Sequence, residues 1–112
     1  MFLPQFILST VFVLAGFLMM RFPPKKINPI YGYRTGRSMK STEAWKYAQS
    51  ISARRMMLCG FMGLFVFITA SIVQCEEGIH AALMIATLVL TLVYLIYSVE
   101  RDLKKKFPDV RP

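Results

Sequence analysis

Three long apolar runs, Phe2 to Met20, Met56 to Val73 and Ile79 to Tyr97, contain no Asp, Glu, Lys or Arg. Each holds about 18 to 19 residues, which at about 1.5 Å rise per residue approaches the roughly 30 Å hydrocarbon core of a bilayer. Backbone in lipid must satisfy its own polar groups, so each run predicts a membrane-crossing helix. The pattern therefore predicts an all-α membrane protein with three transmembrane helices, over 2–20, 56–73 and 79–97, in a single domain. A polar loop occupies 21–55 and a polar tail 98–112. Pro4 falls in the first turn of the first helix, where its missing N–H costs nothing. Phe22-Pro23-Pro24 ends that helix, because two prolines cannot continue it. The first run reads as a retained helix and not a cleaved signal peptide: no Lys or Arg precedes it, and Met19-Met20-Arg21 follows it.

Inside the long loop the pattern changes twice. Asn28 to Ser38 is expected to be irregular, since Asn28 precedes a proline and Gly32 and Gly36 permit positive φ. From Ser41, a plausible N-cap, to about Arg55 the apolar residues return at helical spacing: Ala44, Trp45, Ala48, Ile51 and Ser52 share one side. This predicts an amphipathic helix lying on the membrane surface, with Trp45 at headgroup level, bending into the second membrane helix near Arg54-Arg55. The alternative is that it folds under the bundle and closes it.

Gln74 to Gly78 is short enough to make the second and third helices antiparallel neighbours. Gly60, Gly63 and Ala70 form a small-residue packing stripe, set apart from Phe61, Phe65 and Ile68. Such a stripe also suits a homodimer. His80 reads as a solvated interfacial imidazole. Glu100 to Lys106 continues the third helix into water, with Glu100 before Lys104 and Asp102 before Lys106 as helical ion pairs, and Pro108 ends it.

Charge adds an orientation. The chain is 55% hydrophobic, with a mean hydropathy of +0.48 and a net charge of +8. Nine Lys/Arg lie between Arg21 and Arg55 and five more follow Glu100; the start of the chain and the 74–78 turn have none. Positive residues stay on the cytoplasmic side, so the expectation is N-terminus out and C-terminus in, a multi-pass protein of the inner membrane. The same bias accounts for the positive charge without a nucleic-acid partner; none is expected.

Catalytic constellations are missing. There is one histidine, no P-loop, no CxxC and no Ser-His arrangement, and Cys59 and Cys75 lie near opposite ends of one predicted helix. A non-enzymatic protein is expected, with no metal and no cofactor. What remains is the 27–49 stretch, where Arg34 and Arg37 beside glycines suit an anionic group.

These residues carry a resemblance. Lys26-Ile27-Asn28-x-x-Tyr31-Gly32-Tyr33-Arg34-Thr35, followed by Ser38-x-x-Ser41-x-Glu43-x-Trp45-x-x-Ala48-Gln49, resembles the signature of the SdpI family of bacterial membrane proteins. That family is named for the immunity protein against the sporulation-delaying toxin. The founding type is longer, with extra membrane segments before this region, so this chain reads as a short form. Gln49 stands where Asn is commoner. The resemblance implies immunity against, or sensing of, a membrane-active peptide. The expected ligand-binding set is Asn28, Tyr31, Gly32, Tyr33, Arg34, Thr35, Ser38 and Trp45. Arg34 would meet an anionic group, the tyrosines would pack on the ligand, and Gly32 would allow close backbone approach. The alternative is a lipid-headgroup-binding or lipid-modifying component using the same Tyr-Gly-Tyr-Arg loop. The expected partners are the lipid bilayer, with a peptide toxin or an anionic lipid as ligand.

Overall fold

A computed structural model of the chain describes residues 3–108. Phe2, where the first apolar run begins, and residues 109–112 at the end of the tail lie outside them. The described residues form three helices and no strand: α1 (Leu3–Arg21), α2 (Thr42–Val73) and α3 (Glu77–Lys106). All three are long and apolar enough to cross a membrane.

The helix ends follow the local chemistry. The N–H of Phe22 closes the last turn of α1 on Leu18 O at 2.7 Å, and Pro23 follows. Ser41 caps α2, its Oγ accepting from the Ala44 N–H at 3.0 Å. Gln74 ends α2 in the left-handed region (φ 60°, ψ 50°), and three residues later α3 begins. As expected of the tail, α3 runs on to Lys106.

The 41–55 segment departs from the expected arrangement. It is not a separate surface helix: Thr42 to Val73 is one helix of 32 residues. Ala44, Trp45, Ala48, Ile51 and Ser52 are all buried, so the apolar side read from the sequence is the right one but it faces protein. The reason is length. At about 1.5 Å per residue α2 is ~48 Å long, well beyond a roughly 30 Å hydrocarbon core. Its first turns and the last turns of α3 therefore project together beyond the apolar spans, at the basic end of the molecule. There Met19, Tyr33, Ala44, Ala48, Ile51, Ala53, Leu95, Val99 and Leu103 form the core cluster.

α1 and α2 pack along their length, whereas α3 meets α2 less extensively and α1 hardly at all. Small residues permit the α1–α2 approach. A Cβ on Gly60 would lie 2.6 Å from Val13 N and 2.8 Å from Ser9 O; one on Gly16 would lie 2.7 Å from Ala53 O. Gln5, fully enclosed between the two helices, donates through Nε2 to Ser9 Oγ and to Gly63 O, both at 3.2 Å. The Gly60, Gly63 and Ala70 stripe is thus taken up within the chain and is not left open for a second copy. Phe61, Phe65 and Ile68 face outward. His80 is buried, unlike the solvated imidazole expected, because it is packed at the turn where α3 starts beside Ser71 and Gln74.

The close approach at Gly60 predicts that Gly60→Ala destabilises the protein by about 1–3 kcal/mol, since backbone must give way to the added methyl. A lowered thermal midpoint in detergent checks it. Gly78→Ala, where a Cβ meets nothing within 4 Å, leaves that midpoint unchanged or raises it.

Candidate functional site: the motif loop and the cleft beneath it

Between α1 and α2 the chain folds back over the basic end of the helices, and side chains from three elements hold it there. Asn28 starts the turn. Its Oδ1 accepts from the N–H groups of Ile30 (3.0 Å) and Tyr31 (2.6 Å), and its Nδ2 donates to Lys26 O at 3.0 Å. Trp45, with no exposed surface, donates its indole N–H to Pro24 O at 2.6 Å. The ring thus pins the exit of α1 to α2 and does not sit at the headgroup surface as expected. A buried prolyl carbonyl needs a donor, and the indole supplies it.

Gln49 does for Tyr33 what a neighbouring strand would do. Its Oε1 accepts from Tyr33 N and its Nε2 donates to Tyr33 O, both at 2.7 Å. Gly32 makes this possible. It adopts φ +105°, and a Cβ there would lie 2.6 Å from Gln49 Oε1 and 2.8 Å from Pro24 Cγ. Ser38 closes the other side of the loop, its Oγ accepting from Thr35 N at 2.8 Å and donating to Thr35 O at 2.9 Å.

The third anchor comes from α3. One oxygen of Glu100 accepts from Tyr33 Oη and from Thr35 Oγ1, each at 2.8 Å, while the other lies 3.6 Å from Arg37 Nε. Asp102, two residues further along α3, pairs with Arg55 of α2 and lies 3.2 Å from Arg101 Nε. Glu100 and Asp102 are therefore engaged across elements, and the helical pairs expected with Lys104 and Lys106 are superseded. Half-buried groups that tie down a loop outcompete fully solvated neighbours on a helix surface. Burial, reinforced by the bond to Glu100, pushes the Tyr33 phenol well above the ordinary tyrosine range.

Beneath this loop a cleft of about 490 Å³ opens between α1 and α3. Its walls are Ala15, Leu18, Met19, Met56, Leu95 and Ile96, and its polar edge is Tyr31, Gly32, Tyr33, Arg34 and Thr35. Tyr31 Oη donates to Phe22 O at 2.9 Å, and Arg34 Nε donates to Asn28 O at 3.0 Å with the side chain exposed.

The loop and the two helices that hold it coincide with a known protein family. The sequence model described as the SdpI/YfhL protein family matches residues 25–98, from the end of the Pro-Pro turn to the last turns of α3. The chain belongs to the SdpI/YfhL family. It is also 48% identical over 50 residues to "Uncharacterized protein YfhL" of Bacillus subtilis (strain 168). That stretch covers 45% of this chain, and the chain spans only 46% of the length of that relative. No solved structure matches.

In SdpI/YfhL terms, the eight residues expected at the site divide into two groups. Tyr31, Gly32, Tyr33, Arg34 and Thr35 are brought together at the cleft edge. Asn28, Ser38 and Trp45 do not line it; they hold the loop in place. Sequence reasoning missed Gln49 and Glu100 as members. Gln49 stands inside the SdpI-type motif, one signal that was present. Nothing in the spacing links Glu100 to position 33.

Two outcomes follow. Gln49→Leu strands one buried donor and one buried acceptor of Tyr33, at a cost of about 1–3 kcal/mol. Hydrogen exchange at the Tyr33 amide should accelerate, while exchange within α1 stays as it was. The second concerns pH. The folded state keeps the Tyr33 proton where the unfolded chain loses it, so this contribution is present below about pH 10 and is lost as pH rises above that value. Thermal midpoints measured across the alkaline range should fall more steeply for the native protein than for Tyr33→Phe.

Proposed function

We propose that this member of the SdpI/YfhL family is a non-enzymatic, multi-pass protein of the bacterial cytoplasmic membrane. Its role is protection against, or sensing of, a membrane-active peptide. The observation that carries the reading is the amphipathic character of the α1–α3 cleft: apolar walls continuous with the lipid-facing surface, and a polar edge formed by the family motif. A peptide lying in the membrane surface presents the same division, with apolar side chains toward lipid and polar groups toward water. At about 490 Å³ the cleft accommodates a few anchoring side chains, not a whole peptide.

In this reading Arg34 meets an anionic group or a peptide carbonyl, Tyr31 and Tyr33 flank it, and Gly32 lets the ligand come close to the backbone. Asn28, Ser38 and Trp45 preorganise the loop. The basic end faces the cytoplasm, on the distribution of Lys and Arg, with the 74–78 turn outside. The SdpI/YfhL family is not a known enzyme family.

The test is survival of cells that express the chain and are challenged with a membrane-active toxin such as the sporulation-delaying peptide. Arg34→Ala, present in the membrane at the native level, should lower protection by about tenfold or more, as expected for loss of a hydrogen bond to a charged group. Arg34→Lys should retain part of it. Unchanged protection in Arg34→Ala, with loss of a co-purifying anionic lipid instead, would replace the peptide reading with the lipid-headgroup one.

A further inference from the structure

A second recess lies on the other side of the Trp45–Pro24 contact, between the end of α1 and the first turns of α2. It is an open groove of about 1030 Å³. Its floor is apolar, formed by Met19, Met20, Pro23 and Pro24; its rim carries Lys25 and Lys26 from the loop and Lys46 and Arg54 from α2. Lys46, Ser50 and Arg54 stand four residues apart, on one line of the helix over about 12 Å. Arg54 Nη2 donates to Ser50 Oγ at 3.3 Å, which leaves the serine proton free to be donated outward.

No carboxylate lines this groove. Glu100 and Asp102 are committed on the α3 side, and among the described residues none of the four cations has a carboxylate within 4.0 Å. A general bias toward positive charge at one membrane face explains the sign of these residues. It does not explain why cations from two separate segments gather around one apolar recess. Arg54 lies two residues before the apolar run that starts at Met56, so the groove sits where phosphates meet acyl chains.

We propose that this groove is a binding site for one anionic glycerophospholipid, its phosphate held by Lys46, Ser50 and Arg54 and an acyl chain lying over Met20 and Pro23. Lys25 and Lys26 complete the charge around the headgroup. This rests on the helices crossing a bilayer and is independent of what occupies the α1–α3 cleft.

Native mass spectrometry of the full chain, released from micelles containing equal phosphatidylglycerol and phosphatidylcholine, tests it. The native chain should retain phosphatidylglycerol in preference. The double variant Lys46→Gln/Arg54→Gln should lose that preference by about tenfold or more, as expected for two cations near a phosphate. Lys104→Gln/Lys105→Gln, which removes the same charge from the tail, should keep it. Both pairs are exposed, and an unchanged helical spectrum shows that the fold is intact. Equal retention of the two lipids by the native chain would overturn the proposal, as would equal losses in the two double variants. Displacement of the lipid by inorganic phosphate alone would overturn the role given to the apolar floor.

Discussion

The amide of Gln49 carries the architecture of the basic end. A non-helical segment that crosses the end of a helical bundle brings unpaired N–H and C=O groups into a poorly hydrated place, where each unsatisfied group costs free energy. Tyr33 is buried within that segment, and both of its backbone groups are taken by one side chain from α2. This single pairing sets the height of the loop. It forces glycine at position 32, directs the phenol of Tyr33 toward Glu100, and leaves Arg34 on the exposed side. Without it Trp45, Asn28 and Glu100 would still hold their parts of the loop, but both backbone groups of Tyr33 would be left without these partners.

The helices divide the work unequally. α1 and α2 form a close pair, brought together at Gly16, Gly60 and Gly63 and joined by Gln5 across the interface. α3 stands off from them over the apolar spans, leaving an apolar groove lined by Leu58, Phe65, Leu90 and Tyr94 on the α2 side and the motif cleft on the α1 side. Its strongest polar ties lie at the basic end, through Glu100 to the loop and Asp102 to Arg55. A cleft exists because α3 is held at its end while its middle makes few contacts with α1. The same polar clamp that fixes the loop therefore also sets the width of the cleft.

Much of this was legible in the sequence. Charge-free runs of membrane length, a proline pair and a serine cap mark the helices within a residue or two, because these signals are local. The cleft edge was legible for the same reason: Tyr31 to Thr35 are consecutive, so they stay together whatever the fold does. Position in space was not. An amphipathic face reads alike whether it meets lipid or protein, which is why the 42–55 turns and Trp45 were assigned to the membrane surface and proved to be core. Glu100 offered a choice between a nearby lysine four residues on and a tyrosine 67 residues back, and only the folded chain decides between them.

The two recesses at the basic end share a wall. Met19 lines both, and Gln49 lines the basic groove with one side of its chain while its amide holds the residue that edges the cleft. A packed interior does not deform smoothly, so a displacement of the 31–35 segment by an occupant of the cleft has to break or carry the Gln49 pairing. Carrying it moves a wall of the groove; breaking it exposes the Tyr33 backbone next to lipid headgroups. Either way Gln49 is the contact through which an occupant of the cleft would be felt at the groove, although each recess can be filled without the other.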